Sequence, residues 1–280
     1  MFKRAYVEIT NICNLRCAFC PGTKRPERFM PPEEFRILAR RLRPHTGFLY
    51  LHVMGEPLLH PQLGELLEIG AAEGFRLCLT TNGTLLEQRH DLLLSAPALH
   101  KLSVSLHSME GNNAGALDGY LTGVWESVQA LSRAGIICAL RLWNIGGQET
   151  RNGEILSFLG DRLGTHPLDL PQLRPGSWKL GQRLYLEQAE KFDWPELEGP
   201  ERAAGFCLGL RDQVAVLVDG TVTPCCLDHE GDIPLGNLLA EELEGILSSP
   251  RARAVCDGFS QRRPSEALCR RCGFAERFNR

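Results

Sequence analysis

Eleven cysteines are the residues of this 280-residue chain with the most chemistry to offer, and seven of them fall into two spaced sets. The first is Cys13-Asn-Leu-Arg-Cys17-Ala-Phe-Cys20, three thiols on one short segment. A closed zinc site wants four ligands, and the nearest histidine in sequence is His45, so zinc here needs a remote partner. Three thiolates suit three corners of a [4Fe–4S] cube and leave one iron open to a small molecule. The second set is Cys207, Cys225 and the pair Cys269-Arg-Arg-Cys272. Four such thiolates can close either a zinc tetrahedron or a fully ligated [4Fe–4S] cluster, and spacing leaves both open. Of the other four, Cys78 and Cys138 lie in apolar strand-like runs and Cys256 in a helical one, which suits small packing residues. Cys226 adjoins Cys225 and is the alternative to it as a ligand.

The rest of the composition says where such chemistry happens. With 31 basic against 34 acidic side chains the net charge is −3, which offers no global field for nucleic acid or anionic lipid. The basic run Lys24, Arg25, Arg28, Arg36, Arg40, Arg41 and Arg43 is interleaved with Glu27, Glu33 and Glu34 and reads as a solvated helix face, so nucleic acid is not an expected partner. No apolar run reaches the ~18–20 residues needed to cross a bilayer, and MFKRAYVEIT enters a strand pattern directly. The expectation is a cytoplasmic chain without a membrane partner. In a reducing compartment an odd number of cysteines points to metal ligation or redox chemistry rather than disulfides.

The cysteines need a scaffold, and the hydrophobic pattern describes one. Short apolar runs at 5–10, 48–54, 76–82, 101–107 and 136–143 alternate with segments of helical period, the pattern of a parallel sheet with crossover helices. One helix follows Pro31-Pro32, one carries Leu63, Leu66, Leu67, Gly70 and Ala71 on a face, another carries Val124, Val128 and Leu131, and a fourth is predicted near 151–163. The Pro- and Gly-rich sequence HPLDLPQLRPGS then interrupts the pattern, and a boundary near residue 198 divides the chain into 1–198 and 199–280. Every second strand residue gives Glu8 and Thr10, His52 and Met54, Thr80 and Asn82, Ser103, Ser105 and His107, and Arg141 and Trp143. A lumen holding a polar ligand accounts for that set. Farther on, Asp219-Gly220 predicts a two-residue hairpin that sets Cys225 opposite Val214, within reach of Cys207.

The CxxxCxxC segment after the first strand resembles the signature of the radical S-adenosylmethionine (SAM) superfamily, and further motifs follow in that family's order over residues 5–145. Met54-Gly55-Glu56-Pro57 is similar to its GGEP segment, Thr80-Thr81-Asn82-Gly83 ends the third strand and Ser103-Val-Ser105-Leu-His107 the fourth. The resemblance implies a partial (β/α)6 barrel, an α/β fold, in which Cys13, Cys17 and Cys20 hold a SAM-binding [4Fe–4S] cluster. It places Phe19, Gly55, Glu56, Pro57, Thr81, Asn82, Ser105 and Arg141 about SAM, Phe19 at the adenine and Arg141 at the carboxylate. His107 stands where relatives often carry Asp.

The C-terminal cysteines, with Gly220 and Leu235-Gly236-Asn237, are similar to the SPASM or shorter twitch extension of that superfamily, a small α+β domain. Too few cysteines are present for two auxiliary clusters. One auxiliary [4Fe–4S] cluster on Cys207, Cys225, Cys269 and Cys272 is implied, a layout similar to the twitch-type dehydrogenases of aminocyclitol antibiotic biosynthesis. The function implied is an oxidoreductase that cleaves SAM to a 5′-deoxyadenosyl radical, abstracts hydrogen from a small-molecule or peptide substrate and passes an electron to the auxiliary cluster. Flavodoxin or ferredoxin is the expected electron donor. A peptide or protein maturase, an RNA-modifying enzyme and a non-enzymatic iron–sulfur carrier or scaffold are the alternatives. Glu8, His52, His107 and Asp228 are the candidates for proton handling, none of them assigned.

Overall fold

The computed structural model describes residues 1–112, 117–202 and 204–278. Its strands are β1 (Arg4–Val7), β2 (Phe48–Tyr50), β3 (Arg76–Thr81), β4 (Leu99–Ser105), β5 (Ile137–Ile145), β6 (Gln172–Arg174), β7 (Ser177–Gly181), β8 (Leu184–Glu190), β9 (Gln213–Val216), β10 (Thr221–Thr223) and β11 (Gly236–Asn237). The helices are α1 (Pro32–Leu42), α2 (Leu63–Ala72), α3 (His90–Ser95), α4 (Leu117–Arg133), α5 (Asn152–Leu163), α6 (Leu243–Leu247), α7 (Pro250–Ser260) and α8 (Ala267–Arg270). All strands belong to one sheet in the order β11-β10-β9-β1-β2-β3-β4-β5-β8-β7-β6. From β9 to β8 the pairing is parallel throughout, and antiparallel strands finish both ends.

The four helices expected from the pattern, α1, α2, α4 and α5, form where it puts them, each with apolar residues buried on one face. Helix α1 starts at Pro32 with Glu33 and Glu34 in its first turn, both favourable at the positive end of a helix, and buries Phe35, Leu38, Ala39 and Leu42. Full burial of each large side chain contributes about 1.5–3 kcal/mol. Helix α2 lies so close to β3 that a Cβ on Gly70 would meet the Leu77 side chain at 2.8 Å.

The structure adds a strand to the five read from the hydrophobic pattern, in keeping with a (β/α)6 barrel, and corrects one turn. The sixth parallel strand is β8, which pairs with β5 from Cys138↔Leu184 onward. It was hidden because the antiparallel strands β6 and β7 intervene in a region that reads as a Pro/Gly break. The hairpin after β9 has a three-residue loop, Val218-Asp219-Gly220, closed by the Leu217 N–H donating to the Thr221 carbonyl at 2.8 Å. Val222 therefore faces Val216 and Thr223 faces Ala215, one step short of the predicted register. A one-residue shift exchanges the two faces of a strand, here those of Val222 and Thr223, and Cys225 and Cys226 follow in the bend beyond β10. Because β9 pairs along the free edge of β1 (Ala5↔Val214), the C-terminal segment continues the barrel sheet.

Candidate active site

The loop bearing Cys13, Cys17 and Cys20 is short of internal structure, so other elements hold it. The Thr10 hydroxyl donates to the Arg28 carbonyl, and the Arg28 N–H donates to Asn11 Oδ1, closing the loop's base. At the loop's far side the Ala18 N–H donates to Gly111 O at 3.0 Å, and the Arg16 N–H to Asn112 Oδ1 at 2.9 Å. Donors also reach the sulfurs: Asn112 Nδ2 lies 3.0 Å from Cys17 Sγ, Asn82 Nδ2 3.9 Å and the Leu15 N–H 3.5 Å from Cys13 Sγ. Burial pushes all three thiols up, Cys17 to about 11, so they need a positive metal centre to stand as thiolates. Sulfurs that already receive N–H donors fit a bound cluster.

The Met54–Pro57 turn packs directly on this loop. Gly55 has φ +76°, and a Cβ there would lie 2.4 Å from the Thr10 carbonyl oxygen, while the Glu56 N–H donates to Ile12 O at 2.8 Å. Only glycine fits that contact. The Glu56 carboxylate is turned inward. It accepts from the Thr81 hydroxyl (2.7 Å), the Asn82 N–H (2.7 Å) and the Leu58 N–H (3.0 Å), and burial raises it to about 7. Pro57 opens the short 3-10 turn that Glu56 caps. Thr81 is thereby committed to Glu56 and to the Gly83 N–H, and on the alternating strand it is Thr80 that faces the barrel interior. Asn82 bridges from β3 to Asn14 on the cysteine loop at 2.9 Å.

Glu8 does not reach the interior either. Arg25 grips both its oxygens at 2.7 Å, and the N–H groups of Met54 (3.1 Å) and Val218 (3.0 Å) donate to them. Arg25 Nε also donates to the His229 carbonyl at 2.8 Å. One fully buried carboxylate therefore ties β1, the segment after Cys20, the Met54 turn and the β9–β10 loop together. Sequence alternation marked Glu8 as interior without revealing these partners. Arg28, Arg40 and Arg41 pair similarly with Glu34, Glu73 and Glu242, so the basic run is largely neutralised.

A cavity of about 640 Å³ occupies the barrel. At the cysteine-loop end it is lined by Ala18, Phe19, Ser105, His107 and Gly111, and at the other by Arg4, Lys101 and Gln213. Of the set expected to face a polar lumen, His52, Thr80, Ser105, His107, Arg141 and Trp143 line this space, whereas Glu8, Thr10, Met54, Asn82 and Ser103 do not. His52 faces it with Nδ1 unpartnered and its ring edge-on to Tyr6, and burial, then the Arg141 charge, lowers its pKa to about 3. His107 lies against Phe19, its Nδ1 3.1 Å from the Arg141 carbonyl, and burial lowers it to about 4. Both imidazoles are neutral near pH 7. Arg141, level with Ser105 in the sheet, stacks over Trp143 and lies 3.5 Å from Glu187 on β8. Glu187 and Lys101 went unnoticed in the sequence, where the only signal is a charge inside an alternating strand.

Cys207, Cys225, Cys269 and Cys272 line a second, separate cavity with Pro195, Leu227, Ile233, Phe259 and Leu268. Among the described residues no group of three or more His, Cys, Asp or Glu side chains is placed to hold a metal ion; the four thiols share the lining of one cavity. Burial, followed by neighbouring thiols, drives Cys225 and Cys269 well above the ordinary thiol range. Arg202 holds the end of this site by donating to the Cys272 carbonyl at 2.6 Å. Asp228 lines it too, its oxygens taken by the N–H groups of Asp232 (2.8 Å) and Ile233 (3.0 Å), with burial raising it to about 6. It does not line the barrel cavity. Cys226 does, beside Tyr6, while Leu227 lines both, so residues 225–227 are the wall between the two spaces.

Residues 7–159 match the family profile of the Radical SAM superfamily, and residues 207–273 match that of SPASM, an iron-sulfur cluster-binding domain. The chain is 29% identical over 295 residues to the GTP 3′,8-cyclase of Microcystis aeruginosa (strain NIES-843 / IAM M-2473), covering 90% of this chain and 89% of that one. Other GTP 3′,8-cyclases match over a part, between 32% and 43% of their own length. BtrN in complex with AdoMet and 2-DOIA has a TM-score of 0.59 at 17% identity, covering 97% of this chain and 93% of that one. Streptococcus suis SuiB bound to S-adenosylmethionine has a TM-score of 0.63 at 16% identity, covering 99% and 72%. At such identities the two structures speak for the fold. Among the described residues no helix is long and apolar enough to cross a membrane.

Proposed function

Because the chain belongs to the radical SAM superfamily and carries a SPASM segment, we propose that it is an oxidoreductase that cleaves SAM reductively and oxidises a substrate held in the barrel cavity. Its cofactors are SAM, a SAM-binding [4Fe–4S] cluster and auxiliary iron–sulfur. When bound, these groups supply a 5′-deoxyadenosyl radical for hydrogen abstraction and an acceptor for the electron left behind.

The chain's residues would divide the work by position. Cys13, Cys17 and Cys20 would hold the first cluster, with Asn82 and Asn112 donating to their sulfurs. Gly55, held against the loop backbone, and Ser105 with Arg141 across the barrel would orient SAM, and Phe19 would cover its base. Glu56 and Thr81 act on SAM indirectly, by fixing the turn and the end of β3. Cys207, Cys225, Cys269 and Cys272 would hold a single auxiliary cluster. His52, neutral and lining the cavity with Nδ1 unpartnered, would hydrogen-bond the substrate, since burial and the Arg141 charge disfavour its taking a full proton.

The observation that carries this reading is the shared wall: Leu227 borders both the cavity that begins at the cysteine loop and the one lined by four thiols. A substrate radical in the first would then lie one residue's thickness from an acceptor in the second. Anaerobic protein with both clusters, SAM and a reductant is expected to form 5′-deoxyadenosine. Absence of any SAM cleavage by such protein defeats the proposal.

A further inference from the structure

The charge on the cavity wall bears on what enters it. The chain as a whole is acidic, yet Arg4, Lys101, Arg141, Arg174 and Lys191 line the cavity against Glu110, Glu187 and Asp212. Asp212 is already paired with Lys3 at 2.6 Å, outside the barrel lining. Glu187 alone is shared by Lys101 (3.2 Å), Arg141 (3.5 Å) and Arg174 (3.4 Å), one negative charge among three positive ones. Arg4 faces phenols, its guanidinium over the Tyr50 ring at 5.7 Å. His52 Nδ1 is buried with no hydrogen-bond partner, and Arg141 Nε has only the long 3.5 Å ion-pair contact with Glu187. Cations this crowded repel unless a counter-charge joins them, and in a walled cleft their field concentrates ligands of the opposite sign.

We propose that the substrate carries an anionic group, a carboxylate or a phosphate, which joins Glu187 among Lys101 and Arg174, with Arg4 completing the positive end of the cavity. This deepens the reading above and rests on the barrel cavity being the substrate site. Arg141 is level with Ser105, the level proposed for SAM, whereas Lys101 leaves β4 four residues earlier and reaches up to the same Glu187 carboxylate, and Arg174 reaches it from β6. Among the described residues Glu187 is the only ion-pair partner of Lys101 and of Arg174. Lys101 and Arg174 are thus left for a second ligand. Tyr6, Tyr50 and Trp143 line the same space, which suits a substrate whose anionic group is attached to a flat or apolar body.

The test is anaerobic calorimetric titration of the cluster-loaded full chain with inorganic tripolyphosphate, tricarballylate, GTP and, as a cationic control, spermidine. At least one anion is expected to bind saturably and to weaken as salt rises. Lys101→Met and Arg174→Met are each expected to weaken it by about tenfold, Lys101→Arg to retain it, and all three to bind SAM as the parent does. Preference for tripolyphosphate assigns a phosphate, preference for tricarballylate a carboxylate, and GTP binding more tightly than tripolyphosphate adds a base-bearing body. Arg174 lies on an exposed strand, so its variant tests the proposal even if Lys101→Met fails to fold. No anion binding, equal binding by parent and variants, or binding of spermidine in place of the anions overturns it. Loss of SAM binding in the parent would instead defeat the radical SAM reading and leave the anion result standing.

Discussion

The two thiol sets differ in how they are built. Cys13, Cys17 and Cys20 come from one loop, exposed or half-buried, and side chains and backbone from the end of β3, the Met54–Pro57 turn and the segment after β4 reach in to position it. Cys207, Cys225, Cys269 and Cys272 come from three separate segments and meet only when β9 has paired with β1 and α8 has closed against the hairpin, in a cavity walled by leucine, isoleucine and phenylalanine. An open site can be local because it needs access to a small molecule. A closed one must exclude water, and that takes long-range packing.

The sharpest way to break this comparison is to remove one thiol from each set. Cys17→Ala is expected to abolish SAM cleavage, with iron falling from about eight to about four per chain. Cys225→Ala is expected to lower iron to about four while leaving SAM binding intact, and Cys226→Ala to leave iron at about eight, since Cys226 faces the barrel. Equal iron loss for Cys225→Ala and Cys226→Ala would erase the distinction drawn from the cavities they line.

Glu8→Gln probes the join between the two regions. It leaves Arg25 without its counter-charge and is expected to cost about 3–5 kcal/mol in urea unfolding, disturbing both clusters together. Gly55→Ala sharpens the local side alone. Strain at positive φ and the contact with Thr10 should cost about 1–3 kcal/mol and weaken SAM binding, whereas Gly22→Ala, also at positive φ but with open space around it, should cost about 1 kcal/mol.

The smallest expected effect is a pH slope. The buried His107 titrates near 4 instead of its ordinary 6.5, so between these values the unfolded chain binds the extra proton and stability falls as pH is lowered. His107→Asn should lessen the fall of the urea midpoint from pH 7 down to 5.5, with the His52 and Glu56 contributions, of opposite sign to each other, left unchanged. An unchanged slope would show that His107 does not carry it.

Much of this was legible because it is periodic or local. The stripes of α1, α2 and α4, the alternation in β4 and β5, and the CxxxCxxC spacing are all read within a few residues. What escaped depended on partners far away. Thr81 looked equivalent to Thr80 until Glu56 claimed its hydroxyl, and Glu8 looked like a free interior acid until Arg25, Met54 and Val218 closed on it. The turn after β9 is one residue longer than Asp219-Gly220 alone implies, and β8 follows two inserted antiparallel strands that break the period.

By itself, then, the amino-acid sequence determined the barrel's repeating units, the three-thiol loop and a C-terminal set of spaced cysteines with Cys225 and Cys226 as alternatives, because spacing and hydrophobic period are properties of neighbouring residues. Tertiary structure alone decided that Cys225 turns toward the auxiliary thiols and Cys226 toward the barrel, that one carboxylate joins the two regions, and that three cations gather on Glu187. Each of those depends on which strands lie side by side and in what register, and register is set by packing across the whole sheet.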